Sequence, residues 1–221
     1  MSRVGPVGPD PGRRRLARPD RNDPYRVFLD LVAARCLTEG GRAGQRVADE
    51  IDRLTAARSR VTPSRRAPAV AFLDTVLAQG RPGTADLLGA VAALAPQLAW
   101  HRPDARRVSW QVAGRVAWAE IVGPTAPAPS DRFRLGLHLQ GPRTRYPLHA
   151  HAADELYLTL AGEAWWARGE IWEEAPEKPG TFRRHGAHEA HGMETRPRPM
   201  LALYAWWGEG AAKGKEEYRL L

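Results

Sequence analysis

The stretch from Tyr146 to Gly162 reads YPLHAHAADELYLTLAG, and it decides how the rest of the chain is interpreted. His149 and His151 are two residues apart, so both imidazoles project from the same face of an extended strand. Glu155 and Tyr157 are also two residues apart and so share one face of the next run, ELYLTL, whose opposite face carries three leucines. Imidazole and carboxylate together suit zinc, iron, nickel or manganese. The stretch therefore predicts a metal site built on two neighbouring strands.

A third imidazole has three candidates, because His185, His188 and His191 all follow Gly180 within the segment PGTFRRHGAHEAHGMET. His191 is eleven residues beyond Gly180 and precedes the apolar run PMLALYAWW. His185 and His188 are expected to lie in a loop and to bind nothing.

The sequence after His101 to Pro103 has the texture of an all-β protein. Short apolar runs alternate with Pro and Gly, and they read VSWQVAG, RVAWAEIVG, FRLGLHLQG, ELYLTLAG, EAWWARGEIW, TFRRH and PMLALYAWWG. In FRLGLHLQ, one aromatic and three leucine side chains alternate with more polar residues or glycine, which is the period of a strand with one apolar face. Many short strands without intervening helices predict a sandwich or a barrel.

The sequence before this point predicts helices. Residues 1–23 are rich in Gly, Pro and charge and predict a flexible tail. From Pro24, apolar residues recur at spacings of three and four, with Asp23 as a possible N-cap and Gly40 followed by Gly41 as a stop. Similar spacing predicts three further helices before about Trp100.

Composition narrows the class of protein. The 33 Lys and Arg residues exceed the 25 Asp and Glu residues by eight, but the excess is scattered arginine and no nucleic-acid-binding motif accompanies it. The single cysteine, Cys36, excludes an intramolecular disulfide framework. No signal peptide or membrane-length apolar run is evident. We therefore expect a cytoplasmic protein with neither a nucleic-acid nor a membrane partner.

The spacing His149-x-His151-x3-Glu155-x6-Gly162 resembles the first motif of the cupin family, and the interval from Gly180 to His191 resembles the second. The resemblance implies that His191 is the third histidine ligand, beside His149, His151 and Glu155. It also implies a mainly β fold: a single cupin barrel, or double-stranded β-helix (jelly roll), with an N-terminal α-helical extension. We expect residues 24–104 to form the helical region and residues 105–221 the barrel domain.

Within cupins, the chain is similar to the dimethylsulfoniopropionate (DMSP) lyases, the Ddd cupins. The similarity is carried by Tyr146, Tyr157, AGEAWWARGE, HGMET and LALYAWWGE. It implies a carbon–sulfur lyase that releases dimethyl sulfide and acrylate by β-elimination from a small zwitterion. It also implies one divalent ion per subunit (zinc, iron, manganese or nickel) and a homodimer. Tyr157 is the favoured base and a possible additional metal ligand, and Tyr146 is the second candidate base.

A box of aromatic faces would suit the permanent cation of such a substrate. The candidates are Trp165, Trp166, Tyr204, Trp206 and Trp207. Only one member of each adjacent tryptophan pair can face inward on a strand. Two alternatives remain at this point: another metal-dependent cupin enzyme, such as a dioxygenase or an isomerase, and a non-catalytic cupin that binds a small molecule.

Overall fold

A computed structural model describes residues 23–54, 59–213 and 219–221. The predicted tail, residues 1–23, lies outside the described residues except for Asp23. The α-helices, in chain order, are α1 Pro24–Glu39, α2 Gly41–Asp52, α3 Leu73–Leu77, α4 Ala85–Leu94, α5 Trp110–Arg115 and α6 Glu209–Lys213. Short 3-10 helices span Pro68–Phe72, Pro82–Thr84 and Ala95–Gln97.

The first helix begins and ends where the sequence predicts. An oxygen of the Asp23 side chain accepts a hydrogen bond from the backbone N–H of Tyr25 at 3.2 Å, which caps the helix. At the other end, the N–H of Gly40 donates to the carbonyl of Cys36. A side chain at Gly40 would collide with backbone atoms of Cys36 and Gly44, so this close turn into α2 requires glycine.

Two β-sheets face each other. The strands, in chain order, are β1 Trp100–His101, β2 Val116–Gly123, β3 Ala128–Pro129, β4 Phe133–Gln140, β5 Thr144–Ala150, β6 Asp154–Ala161, β7 Trp165–Arg168, β8 Ile171–Trp172, β9 Phe182–His185, β10 His191–Thr195, β11 Met200–Trp207 and β12 Arg219–Leu220. The larger sheet has the order β1-β2-β4-β11-β6-β9, with β3 beside β2, and the smaller has the order β12-β5-β10-β7-β8. The predicted fold class, a cupin barrel with an N-terminal helical part, is confirmed.

The larger sheet is buried on both faces. Its outer face carries the alternating apolar residues of β4, β6 and β11, which form one hydrophobic cluster with α1, α2, α3 and α4. Its inner face carries Tyr157 and Tyr204, which belong to a second cluster. Trp166, from the smaller sheet, is part of the same cluster. The period-two pattern of FRLGLHLQ therefore separates a side that packs on helices from a side that lines the barrel.

Three local predictions were wrong or incomplete. VSWQVAG does not form a strand, because the Ser109 side chain accepts a hydrogen bond from the N–H of Val112 at 3.3 Å and starts helix α5. The last predicted helix ends at Leu94 and is followed by the 3-10 helix Ala95–Gln97, and Trp100–His101 pairs with β2 instead. The strand His191–Thr195 was not predicted, because HGMET is short and lacks an apolar alternation.

Helical and β segments share one core. The predicted division into residues 24–104 and 105–221 remains a prediction. None of the helices in the described part of the chain combines the length and apolar character needed to cross a bilayer.

Replacing Leu137 with Ala should lower the free energy of unfolding by about 2 to 5 kcal/mol, because it leaves a cavity between the sheet and the helices. Leu37→Ala is the matched control, since Leu37 lies on α1 and its side chain is 54% exposed. The control should change stability by no more than about 0.5 kcal/mol. Urea denaturation of both variants measures the difference, and equal losses would contradict a core shared by helices and sheet.

Candidate active site

Three histidines converge between the two sheets. His149 and His191 are directly opposite each other on the paired strands β5 and β10, and His151 follows the end of β5. All three are buried, and one ring nitrogen from each lies within 4.8 Å of the others. The pairing of β5 with β10 therefore brings side chains about forty residues apart in sequence to one point.

Each of these histidines has its tautomer fixed by the backbone. The Nδ1 atoms of His149, His151 and His191 lie 3.0, 3.0 and 2.8 Å from the carbonyl oxygens of Pro147, Ala153 and Glu189 respectively. A carbonyl oxygen only accepts, so each Nδ1 carries the hydrogen and donates it. In the neutral ring, Nε2 is then an unprotonated acceptor, which is the form that binds metals.

The carboxylate of Glu155 completes the cluster. One oxygen, Oε1, accepts a hydrogen bond from Trp206 Nε1 at 2.6 Å. The other, Oε2, lies 3.0 Å from Nε2 of both His151 and His191. The contact with His191 is close but is not aligned as a hydrogen bond, and Nε2 of His191 has no hydrogen-bond partner among the described residues.

Electrostatics favour a cation at this point. Burial lowers the pKa of His149 well below its ordinary value, and His191 lowers it further, so His149 is neutral. Burial acts to raise the pKa of Glu155, but His151 and His191 outweigh it and hold that pKa well below its usual range. When the three histidines are neutral, their unprotonated Nε2 atoms face the ionised carboxylate of Glu155. A positive charge between these atoms stabilises the arrangement. The donor set, three imidazoles and one carboxylate, therefore fits a divalent metal ion.

Both predicted base tyrosines lie beside this cluster. The ring of Tyr146 is 5.1 Å from that of His149, and Tyr157 is two residues beyond Glu155 on β6. Burial raises the pKa of Tyr157 well above its ordinary value, and the negative charge of Glu155 raises it further. Tyr157 therefore keeps its proton at neutral pH unless a positive charge lies close to its oxygen.

A cavity of about 460 Å³ opens onto the site. His149, Glu155, Tyr146 and Tyr157 line it together with residues of the segment 102–108. It is large enough for a small-molecule ligand, and it brings His149, Glu155 and both tyrosines to one surface.

Comparison with known proteins agrees with this geometry. The family model described as dimethylsulfoniopropionate lyase matches residues 43–202, which is well over half of the chain. The chain belongs to this family. The predicted family and enzyme class, a carbon–sulfur lyase, are thereby confirmed.

Two curated relatives belong to the same group. The chain is 30% identical over 169 residues to the Cereibacter sphaeroides protein named "Putative dimethylsulfoniopropionate lyase DddL", an alignment that covers 74% of this chain and 70% of that protein. It is 32% identical over 92 residues to the dimethylsulfoniopropionate lyase DddQ of Ruegeria pomeroyi, covering 40% of this chain and 44% of that protein.

Solved structures of lyases in this family share the fold. The crystal structure of DddQ from Ruegeria pomeroyi superposes with a TM-score of 0.72 at 25% identity, covering 90% of this chain and 96% of the other. A structure from a study of the DMSP lyases RdDddP and RnDddQII superposes with a TM-score of 0.71 at 22% identity, covering 90% and 97%.

The predicted aromatic residues divide between different surfaces of this lyase fold. Tyr204 and Trp206 line the cavity, and Trp206 also lies against the ring of His151 at 4.2 Å. Trp166 faces inward but packs on Tyr157 at 4.8 Å, outside the lining of the cavity. Trp207 packs against the helical side of the sheet, and the ring of Trp165 lies under the guanidinium of Arg196 at 4.1 Å.

His185 does not lie in a loop, so that prediction was wrong. It ends β9, opposite Glu155, and is completely buried with its ring stacked on His191 at 4.1 Å. Burial lowers its pKa to about 3, and the charge of His191 contributes. His188 does lie in a turn, as predicted, and is exposed.

His138 was missed as a candidate site residue. It lines the cavity between the two tyrosines, with ring centroids 5.5 Å from Tyr146 and 6.3 Å from Tyr157. Burial lowers its pKa, so it is neutral at pH 7. A histidine on the polar face of FRLGLHLQ was visible in the sequence, but nothing there placed that face toward Tyr146.

Replacing His149 with Ala should remove one of the three convergent nitrogens and abolish stoichiometric metal binding. His188→Ala is the comparison variant, because that histidine is exposed and is not one of the three convergent residues. Its backbone N–H donates to the carbonyl of His151 at 2.7 Å, and the substitution keeps that hydrogen bond. Elemental analysis of the purified variants gives the metal content per chain. Full metal content in His149→Ala would contradict this assignment.

Metal affinity should increase as pH rises through the raised pKa of His151. Burial acts to lower the pKa of His151, but the charge of Glu155 outweighs it and raises that pKa above its ordinary value of 6.5. Protons therefore compete for the Nε2 of His151 below that raised pKa and are lost above it. Titration of the metal-free protein with zinc at several pH values measures the trend; pH-independent affinity would argue against His151 as a ligand.

Proposed function

We propose that this protein cleaves DMSP to dimethyl sulfide and acrylate by β-elimination, with Tyr157 as the general base. The observation that carries the proposal is a cavity lined by Glu155, two tyrosines and His149 of the histidine cluster, in a chain of the DMSP lyase family. The relatives whose names state this activity support the substrate.

The proposed metal ligands are His149, His151, Glu155 and His191. A divalent ion bound there would act as a Lewis acid toward the substrate carboxylate and would stabilise the negative charge that develops on the adjacent carbon. Trp206 orients one of these ligands, because its indole N–H donates to Glu155 and leaves Oε2 directed at the histidines. The ion is expected to be zinc, iron, manganese or nickel.

Tyr157 has the properties of a base that works only next to a cation. Burial and the negative charge of Glu155 raise the pKa of its phenol and so keep it protonated, whereas a nearby dication favours the phenolate. The phenolate would take the proton from the carbon beside the carboxylate. The electrons of that C–H bond form the new C=C bond, the C–S bond breaks, and its electrons leave with sulfur as neutral dimethyl sulfide.

Tyr146 is the second candidate for the base. It lies on β5, beside the ring of His149 at 5.1 Å, and is partly exposed to the cavity. Like Tyr157, it lines the cavity, and this position suits either proton transfer or contact with the substrate.

Tyr157→Phe should lower the rate of dimethyl sulfide release at least about 100-fold while metal content stays unchanged, because it removes only the phenolic oxygen. Tyr146→Phe is the matched comparison, with a smaller expected loss. Gas chromatography of the metal-loaded enzyme with DMSP measures the product. Equal rates for wild type and Tyr157→Phe would transfer the role of base to Tyr146 or another group.

The substrate assignment has its own test. Wild-type protein loaded separately with zinc, iron, manganese and nickel should release dimethyl sulfide and acrylate in equal amounts with at least one of these ions. No product with any of them would refute the lyase proposal. Oxygen consumption with candidate substrates would instead support the cupin dioxygenase alternative.

A further inference from the structure

The inner face of β4 carries a hydrogen-bonded pair that the proposed elimination does not use. Nε2 of His138 lies 3.2 Å from Oε1 of Gln140, and both side chains are buried. The amide nitrogen of Gln140 lies 2.8 Å from the carbonyl oxygen of Thr144 and 3.4 Å from that of Met193. Those carbonyls belong to β5 and β10, so the pair connects the two sheets beneath the cavity.

These contacts determine which nitrogen of His138 carries the proton. Carbonyl oxygens only accept, so the group of Gln140 that faces Thr144 and Met193 must be its NH2. Its oxygen therefore faces His138, and Nε2 of His138 must donate to it. In the neutral ring, Nδ1 is then left as an acceptor, and it belongs to a residue that lines the cavity.

The surroundings of His138 suit a positive charge. The rings of Trp118, Tyr146 and Tyr157 line the cavity beside it and offer aromatic faces. The side chains of Asp104, Glu120 and Glu155 also line the cavity. Oε2 of Glu120 pairs with Arg134 at 2.8 Å, whereas its Oε1 is buried without a hydrogen-bond partner among the described residues. Nδ1 of His138 thus adds a neutral acceptor with a fixed lone pair to the residues that line the cavity.

We propose that His138, with its tautomer fixed by Gln140, is a positioning residue that directs the cationic end of a zwitterionic ligand away from the metal ligands. The inference rests on the proposed function, because that function places the carboxylate of the ligand at His149 and Glu155. An unprotonated nitrogen attracts a cation and repels a carboxylate, so it opposes binding in the reverse orientation.

This orientation also suits the elimination. Tyr146 lies between the two ends of the cavity, 5.5 Å from the ring of His138 and 5.1 Å from that of His149. In DMSP, the carbon that loses its proton lies between the carboxylate and the sulfonium. A ligand with its cation at His138 and its carboxylate at the metal ligands therefore presents that carbon beside the tyrosines.

The test measures preference for a cation in binding, apart from turnover. The probes are 3-(trimethylammonio)propanoate, which carries the cation, and 4,4-dimethylpentanoate, which has the same shape without it. Calorimetry with zinc-loaded full-length protein gives a dissociation constant for each, and their ratio is the cation preference. Wild type should bind the cationic probe more tightly, and equal affinity for both probes would overturn the proposal.

Two substitutions separate the lone pair from the aromatic ring. His138→Phe keeps a ring of similar size but removes the acceptor, and it should reduce the cation preference about five- to tenfold without weakening the neutral probe. His138→Asn removes the ring but keeps an acceptor near the position of Nδ1, and it should keep most of the preference. The opposite pattern, with the preference kept in Phe and lost in Asn, would assign the effect to the ring face and overturn the proposal.

His188→Phe is the matched control, and it should leave both dissociation constants unchanged. Circular dichroism and metal content check that each variant is folded and loaded. If only one His138 variant folds, a preference kept in His138→Phe or lost in His138→Asn overturns the proposal. Failure of the proposed function is distinguishable, because it is measured as absent dimethyl sulfide from the wild type. Dimethyl sulfide release together with an unchanged cation preference in folded His138→Phe would refute this inference alone.

Discussion

The burial of the larger sheet on both faces is the constraint on which the rest of the structure depends. Leu135, Leu137 and Leu139 of β4 pack on the helical side, so their neighbours must face the barrel interior. A shift of one residue in register would exchange the two sets and bury polar groups among the helices. The apolar packing therefore fixes the direction of Glu155, Tyr157 and His138 as firmly as it fixes the core.

The same alternation arranges the site in rows across the larger sheet. Glu155 lies between His185 on β9 and Trp206 on β11, and Tyr157 lies beside Tyr204 on β11. The smaller sheet supplies His149 and His191 from the opposite side. Neither sheet carries the complete set of proposed ligands, so the site depends on the packing of one sheet against the other.

Hydrogen bonds to backbone carbonyls then give these side chains defined chemical states. The three histidines of the cluster donate through Nδ1 and leave Nε2 for the centre, while His138 donates through Nε2 and leaves Nδ1 for the cavity. The two arrangements provide acceptors at different places in one cavity. Because all of these acceptors belong to the protein, the tautomers are set before any ligand binds.

Many features of this protein could be predicted from its amino-acid sequence. The period of FRLGLHLQ and ELYLTL predicted strands and their apolar faces, the capping residue and glycines predicted the bounds of α1, and the spacing of His149, His151 and Glu155 predicted a cluster. These features depend on residues close in the chain, where local geometry relates spacing directly to direction. Family resemblance added His191 and the enzyme class.

The contacts between residues far apart in the chain could not be predicted in this way. The stacking of His185 on His191, the hydrogen bond from Trp206 to Glu155 and the position of His138 between Tyr146 and Tyr157 all join different strands. Spacing within one strand gives the face of a side chain but not its neighbours across the sheet. Those neighbours follow from strand order and register, which are set by long-range packing that no local pattern in the sequence records.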